Sequence, residues 1–289
     1  MTPTKAGVYP GLSLAEYLAI DAANHSTLRR FARSAAHARE EMVHPPEPTA
    51  ALAFGQAVHA AVLEPHAFST DYAIGPEGDR RTKAGKDAWT RFELDHPGAL
   101  VLGHDEGETI QAIVRAIGEH ELARDLCRTA RGLSELTVLW DHALVGLEAP
   151  VRCKGRIDRL VDWHGTPTVV DLKTTTDASP KAFPRACANF GYHSQAAFYL
   201  DGLRSLSDLD RRYVLCAVEK ERPHGVACYE LDAKSLQQGR VEYERWLWLY
   251  AEARRTNVWP GYDAALQSLS IPRWAFEAAS AEEVYSDVH

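Results

Sequence analysis

Paired cysteines are missing from this chain. Its five cysteines, Cys127, Cys153, Cys187, Cys216 and Cys228, are odd in number and none forms a CxxC motif. That pattern counts against a structural zinc site, an iron–sulfur cluster or a disulfide framework, and free thiols in a reducing compartment fit it better. Long apolar runs are lacking as well. None approaches the ~18 residues of a membrane span, and the opening MTPTKAGVYPGLS has no apolar signal-peptide core. A cytoplasmic location is the expectation. Nor is there a positive balance of charge: 32 Lys and Arg stand against 40 Asp and Glu, a formal net charge of −8. This argues against an open DNA-coating protein. It leaves room for an enzyme that meets nucleic acid only in a local basic groove.

What is present is an ordinary globular composition, with 45% hydrophobic and 25% charged residues. Ser13-Leu14-Ala15-Glu16 is a capping box that opens a short helix to about Ile20. Ser26 can cap a second helix running to about Glu41, with Arg29, Arg30, Arg33 and Arg39 either on a solvated face or towards phosphates. After Pro45-Pro46-Glu47-Pro48, ALAFGQAVHAAVLEP predicts an apolar helix over Ala50–Leu63, ended near Pro65. His59 sits in its middle, as a satisfied core residue or as a ligand. The stretch GPEGDRRTKAGK gathers Arg80, Arg81, Lys83 and Lys86 beside a helix predicted from Ala84 to Leu94. Clustered cations near a helix N-terminus suit a phosphate, although an exposed basic loop accounts for them equally.

Ile110, Ile113, Val114 and Ile117 keep helical spacing, and a short helix is expected at Glu121–Arg128. SELTVLW, Ser134–Trp140, is a strand candidate bearing Glu135. A crossing through Pro180 and Pro184 leads to a helix over Tyr192–Leu203, on which Gln195 and Tyr199 share a face. Two strands, Arg211–Glu219 and His224–Leu231, precede a long helix over Lys234–Arg254. An aromatic tail with Trp259 and Trp274 is expected to pack on the domain. The order implies one α/β domain with a mixed central sheet flanked by helices.

The densest chemistry lies in KGRIDRLVDWHGTPTVVDLKTTT, Lys154–Thr176. Two β-prone runs flank His164-Gly165, a pair suited to a two-residue hairpin loop. Centred there, the turn sets Asp158 opposite Asp171, with Cβ atoms ~4.5–5.5 Å apart, and Lys173 projects from the same face as Asp171. Facing carboxylates repel. Either Lys154, Arg156 and Arg159 neutralise them on a solvated face, or a divalent cation bound by hard oxygen ligands does.

Taken together, FGQAVHAAVLEP with His59, RRTKAGK from Arg80, SELTVLW with Glu135, GRID with Asp158, VDLKTT with Asp171 and Lys173, YHSQAAFY with Gln195 and Tyr199, and the terminal WP…LSIPRW stand in one order across Val8 to Glu277. This set resembles the nuclease domain of the RecE (exonuclease VIII) family. That family lies in the PD-(D/E)XK, restriction-endonuclease-like superfamily with lambda exonuclease and the RecB nuclease domain. Asp171 stands where many of the superfamily carry glutamate; RecE-type proteins also carry aspartate there, and the cysteines lack the iron–sulfur arrangement of some relatives.

The resemblance implies a single nuclease domain over 1–289, with a helical region over 1–49, a catalytic core over 50–254 and a tail over 255–289. It implies Mg²⁺, with Mn²⁺ as a substitute, held by Asp158, Asp171, the Leu172 carbonyl and His59. Lys173 would act on the attacking water and the developing charge, and Gln195 and Tyr199 would orient water or phosphate. Glu135 would be a further ligand or support, and Arg80, Arg81, Lys83 and Lys86 would contact the DNA strand and its 5′-phosphate. The implied activity is ATP-independent 5′-to-3′ digestion of linear double-stranded DNA. It would leave 3′ tails for a RecT-type single-strand annealing protein. A ring-shaped homo-oligomer is implied too, a tetramer before a trimer. A related endonuclease, a single-strand nuclease and a catalytically silent DNA clamp are the alternatives.

Overall fold

The computed structural model describes residues 3–47, 49–78 and 81–272. The chain opens with strand β1 (Gly7–Tyr9) and helices α1 (Leu14–Leu18), α2 (His25–Arg30), α3 (Ala35–Val43), α4 (Ala50–Leu63) and α5 (Pro65–Asp71). Next come β2 (Tyr72–Ile74), α6 (Lys83–Asp95), β3 (Leu100–Leu102), α7 (His104–Glu119) and α8 (Glu121–Arg124), the last running into a π-helical turn at Asp125–Thr129. The central strands β4 (Gly132–His142), β5 (Val151–Trp163) and β6 (Thr166–Thr175) follow. The remainder is α9 (Phe183–Phe190), α10 (Tyr192–Leu206), β7 (Arg212–Glu219), β8 (Val226–Glu230) and α11 (Ala233–Thr256). No helix of the described residues is long and apolar enough to cross a membrane.

Six strands form one mixed sheet in the order β1-β4-β5-β6-β7-β8, and β2 and β3 pair separately. Only β6 and β7 within the large sheet run parallel, joined over its face by α9 and α10. One side of the sheet packs α10, α11 and the N-terminal helices around Trp140, Phe198, Tyr213 and Tyr243. The other side packs α4, α7 and the π-helical turn around Val58, Ile113, Leu172 and Cys216. Burial on both faces explains why β7 reads as a continuous apolar run from Tyr213 to Val218.

Most expected elements form where the sequence places them. Thr49 caps α4, its side chain accepting from Leu52 N, and α4 has the expected bounds. The Ser13 capping box is present. His164 and Gly165 both take positive φ, 52° and 78°, as a two-residue type I′ loop requires, and Trp163 pairs with Thr166 across it.

Three differences have physical causes. The helix expected over Ser26–Glu41 is two helices. Asn24, not Ser26, caps the first by accepting from Thr27 N, and Ser34 starts the second by accepting from His37 N, because such side chains compete with helix continuation. The Pro180–Pro184 crossing contains α9, with Pro184 in the first turn, where a missing N–H is harmless. The tail packs through Pro260, whose carbonyl accepts from Ala36 N, and Tyr262, whose hydroxyl meets Arg33. Beyond that, Leu266 and Leu269 are exposed, and Trp274 lies outside the described residues.

His25 ties α2 to α10. Its Nε2 lies 2.9 Å from Ser194 Oγ, which itself donates to Gly191 O, so the imidazole is the donor. Burial first, then the Lys173 charge, pushes its pKa down to about 3. The folded state therefore holds His25 neutral while the unfolded chain protonates it below ~6.5. Stability is expected to fall as pH drops below that value, by up to ~1.4 kcal/mol per pH unit from this group. Urea unfolding at pH 7 and pH 5 checks this: His25→Gln, which keeps a donor for Ser194, should show a shallower loss than the wild type. An equal loss would rule His25 out as the source.

Candidate active site

The two central ladders fail at one place. Between β4 and β5 the pairing runs from Gly132–Val161 to His142–Val151, and Glu135 and Asp158 alone drop out of it. Ser134 and Leu136 would share a face in a regular strand. Instead Ser134 Oγ donates to Leu63 O at the end of α4, whereas Leu136 lies in the core beneath α10. Ile157 and Arg159 part in the same way: Ile157 joins that core, and Arg159 reaches the Leu126 and Ala130 carbonyls on the opposite side. Glu135 absorbs the change at φ 52°, a left-handed conformation that costs roughly 1–2 kcal/mol for a residue with a Cβ.

The β5–β6 ladder stops at the same point. Its register, Arg159–Val170 through Trp163–Thr166, is the one the turn predicts. One step further, where Asp158 would face Asp171, the Asp158 Oδ2 accepts from Leu172 N at 2.9 Å. Glu135, Asp158 and Asp171 thus occupy matching positions on three adjacent strands, where the sheet has opened.

Helix α4 brings His59 to this opening. Its Nδ1 lies 3.4 Å from Asp158 Oδ2. Ligand atoms of His59, Glu135 and Asp158 all fall within 4.8 Å of one another. On the α10 side, Lys173 Nζ lies 2.7 Å from Asp171 Oδ2 and donates to Gln195 Oε1 at 3.2 Å. Gln195 Nε2 meets the Tyr199 hydroxyl at 3.4 Å. Gly155 makes this reach possible, since a Cβ there would stand 2.8 Å from the Tyr199 ring. The glycine of GRID was visible in the sequence, but its purpose lies in a helix more than forty residues on.

The strand cations that could have neutralised the acids are engaged elsewhere. Lys154 Nζ donates to the Tyr17, Leu18 and Ile20 carbonyls at the end of α1. Arg159 binds the carbonyls named above and Ser134 Oγ. Arg156 pairs with Glu135 at 2.6 Å and with Leu12 O. None of the three pairs with Asp158 or Asp171. Both Asp171 oxygens are buried without a well-formed hydrogen bond. Burial, followed by the Asp171 charge, holds Asp158 well above the usual carboxylate range. Burial and the Asp158 charge raise Glu135 against the opposing pull of Arg156.

These donors fit a divalent cation. The Glu135 and Asp158 carboxylates are hard oxygen ligands within reach of one ion together with His59, and Asp171 stands beside them against Lys173. His59, pushed down by burial and by Lys173, is neutral and has a lone pair to offer. Lys83 and Lys86 are exposed in the first turn of α6, with no hydrogen bond or ion pair to the site. Arg81 is exposed just before that helix, and Arg80 lies outside the described residues.

A mixed sheet flanked by helices, with acids on three neighbouring strands and a lysine two residues past the last acid, is the PD-(D/E)XK, restriction-endonuclease-like fold. The chain belongs to the family described as PDDEXK-like domain of unknown function (DUF3799), whose model matches residues 24–268. Among curated proteins none matches the sequence. A solved structure from Eubacterium rectale, described as a "putative exonuclease", aligns over 93% of this chain and 99% of its own with a TM-score of 0.59 and 14% identity. At that identity the likeness speaks for the fold. The structure of SSO0001 aligns over 65% of this chain and 84% of its own at 14% identity, and its TM-score of 0.28 carries no argument.

Divalent cation binding should be measurable without any substrate. Mn²⁺ or Mg²⁺ at ~100 times its Kd should stabilise the wild type by ~2.7 kcal/mol, seen as a rise in the thermal midpoint. Asp158→Asn and Glu135→Gln should lose that rise while folding normally without metal. A full metal-dependent rise in both variants would place the cation elsewhere.

Proposed function

We propose that this protein is a divalent-metal-dependent, ATP-independent exodeoxyribonuclease of RecE type that digests linear duplex DNA from the 5′ end. The observation that carries the reading is the convergence of His59, Glu135 and Asp158 within 4.8 Å, next to the Asp171–Lys173 pair at 2.7 Å. Family membership supports a nuclease. Strand polarity, Mg²⁺ as the natural ion, a ring-shaped assembly and 3′ tails passed to an annealing protein rest on the sequence resemblance.

His59, Glu135, Asp158, Asp171 and the Leu172 carbonyl would hold the ion. Bound there, it would supply Lewis-acid polarisation of the phosphate and a water of lowered pKa. The chain's own groups then divide the remaining tasks. Burial alone would lower the Lys173 pKa, but the Asp171 and Asp158 charges outweigh it and raise the ammonium above its ordinary value. A charged Lys173 donates hydrogen bonds, so it orients the attacking water and stabilises charge building on the phosphate. Gln195 fixes that ammonium through Oε1. Burial keeps the Tyr199 phenol protonated. Since its oxygen accepts from Gln195, its own proton is free to donate to a phosphate oxygen. Nothing in these contacts reads a base, so little sequence preference is expected.

Incubating linear, nicked and covalently closed circular DNA with and without Mg²⁺ tests the reading. Linear duplex should disappear only with the metal, and ATP should not be needed. Equal cutting of closed circles would favour an endonuclease instead. Lys173→Ala should slow digestion by ~10²–10³-fold at unchanged fold, and unimpaired cutting would remove the lysine from the mechanism.

A further inference from the structure

We propose that Phe190, with Arg29 beside it, is a nucleotide-holding step at the edge of the active site: the ring stacks on a base of the cut strand and the guanidinium holds an adjacent phosphate. This rests on the nuclease reading above and adds the substrate contact that it leaves open.

Phe190 ends α9 and is 56% exposed. Its ring lies nearly parallel to that of Tyr192, with centroids 5.7 Å apart and planes 24° apart. Tyr192 in turn presents its face to the catalytic ammonium, Lys173 Nζ being 4.7 Å from the ring centroid. An aromatic path therefore runs from solvent to the lysine in two steps. A base needs a flat apolar surface, with a worth that is nearly independent of its identity.

The step is held rigidly. Gly191, between α9 and α10, has φ 70°. A Cβ there would press on Ser194 Oγ at 3.1 Å and on Arg29 Nε at 3.2 Å, so glycine serves both the turn and the close approach. Ser194 Oγ donates to Gly191 O and is met by the buried His25. Arg29 Nη2 donates to Asn189 O. Helix α2 thus clamps the turn that carries Phe190. Arg29 is exposed, and no carboxylate pairs with it among the described residues, whereas its neighbour Arg30 is paired with Glu41. A guanidinium fixed by one donor with others turned to water is suited to a phosphate.

The test uses the full chain in an Asp158→Asn background, bound to linear duplex DNA carrying 2-aminopurine at the first, second or third nucleotide from the 5′ end. Stacking should quench 2-aminopurine at one of these positions on binding. Adding Phe190→Ala should abolish the quench and raise the Kd ~5- to 100-fold, and Phe190→Trp should restore both. Arg29→Gln should weaken binding and flatten its salt dependence by about one counterion. An unchanged quench and Kd in Phe190→Ala would overturn the proposal. So would a change of oligomeric mass by light scattering in Phe190→Ala and its reversal in Phe190→Trp, which would make the ring a subunit contact. In the otherwise wild-type chain, digestion that continues at full rate with Phe190→Ala sinks this inference alone, whereas absence of digestion by the wild type sinks the nuclease reading itself.

Discussion

Charge balance at the break in the sheet governs this structure. Three carboxylates, Glu135, Asp158 and Asp171, occupy neighbouring strands within a buried opening. Each ionised acid in such a place has to be hydrogen-bonded, paired or bound to a cation. Lys173 and Arg156 supply two positive charges, and among the described residues no third strand cation pairs with these acids. Burial, and after it the charge of the neighbouring acid, raises the affinity of Asp158 and Glu135 for protons. A divalent cation held there would relieve the part of this that comes from repulsion between the acids.

The fold is arranged to keep that opening from collapsing. Regular pairing of Glu135 with Asp158 would close it, and the left-handed Glu135 backbone prevents this at a local cost. The surrounding ladder, continuous from Leu136–Ile157 to His142–Val151 and again at Gly132–Val161 to Ser134–Arg159, holds the two strands in register on either side. Lys154 and Arg159 contribute as struts, one satisfying the carbonyls at the end of α1 and the other those around the π-helical turn. Both are cations whose charge faces backbone dipoles instead of the acids.

Two packed layers then deliver the remaining groups from opposite sides of the sheet. Helix α4 carries His59 to Asp158, and α10 carries Gln195 and Tyr199 to Lys173. Position along each helix is set by core packing: Val58, Ala61 and Val62 are buried around His59, and Ala196, Ala197 and Phe198 lie between Gln195 and Tyr199. The Lys173 ammonium is consequently fixed by Asp171, Gln195 and the Tyr192 ring together. In the proposed reaction such fixed donors would stabilise developing charge without reorganising.

Local chemistry in the sequence determined a good deal. Thr49 and the apolar run after it delimit α4, His164-Gly165 sets the hairpin and its register, and alternation from Asp171 to Lys173 puts both on one face. These depend on near neighbours, so spacing suffices to read them. Tertiary structure alone decided which cations neutralise which acids. Lys154, Arg156 and Arg159 are equivalent candidates by spacing, yet only Arg156 meets an acid, because the break at Glu135 and Asp158 turns the strand over and sends Arg159 to the far side. Gly155 and Phe190 were likewise unreadable, since the ring that crowds the first and the clamp that presents the second come from distant helices. Charge pairing and close approach are decided by contacts between residues far apart in the chain, and those exist only once the sheet and its two helical layers have packed.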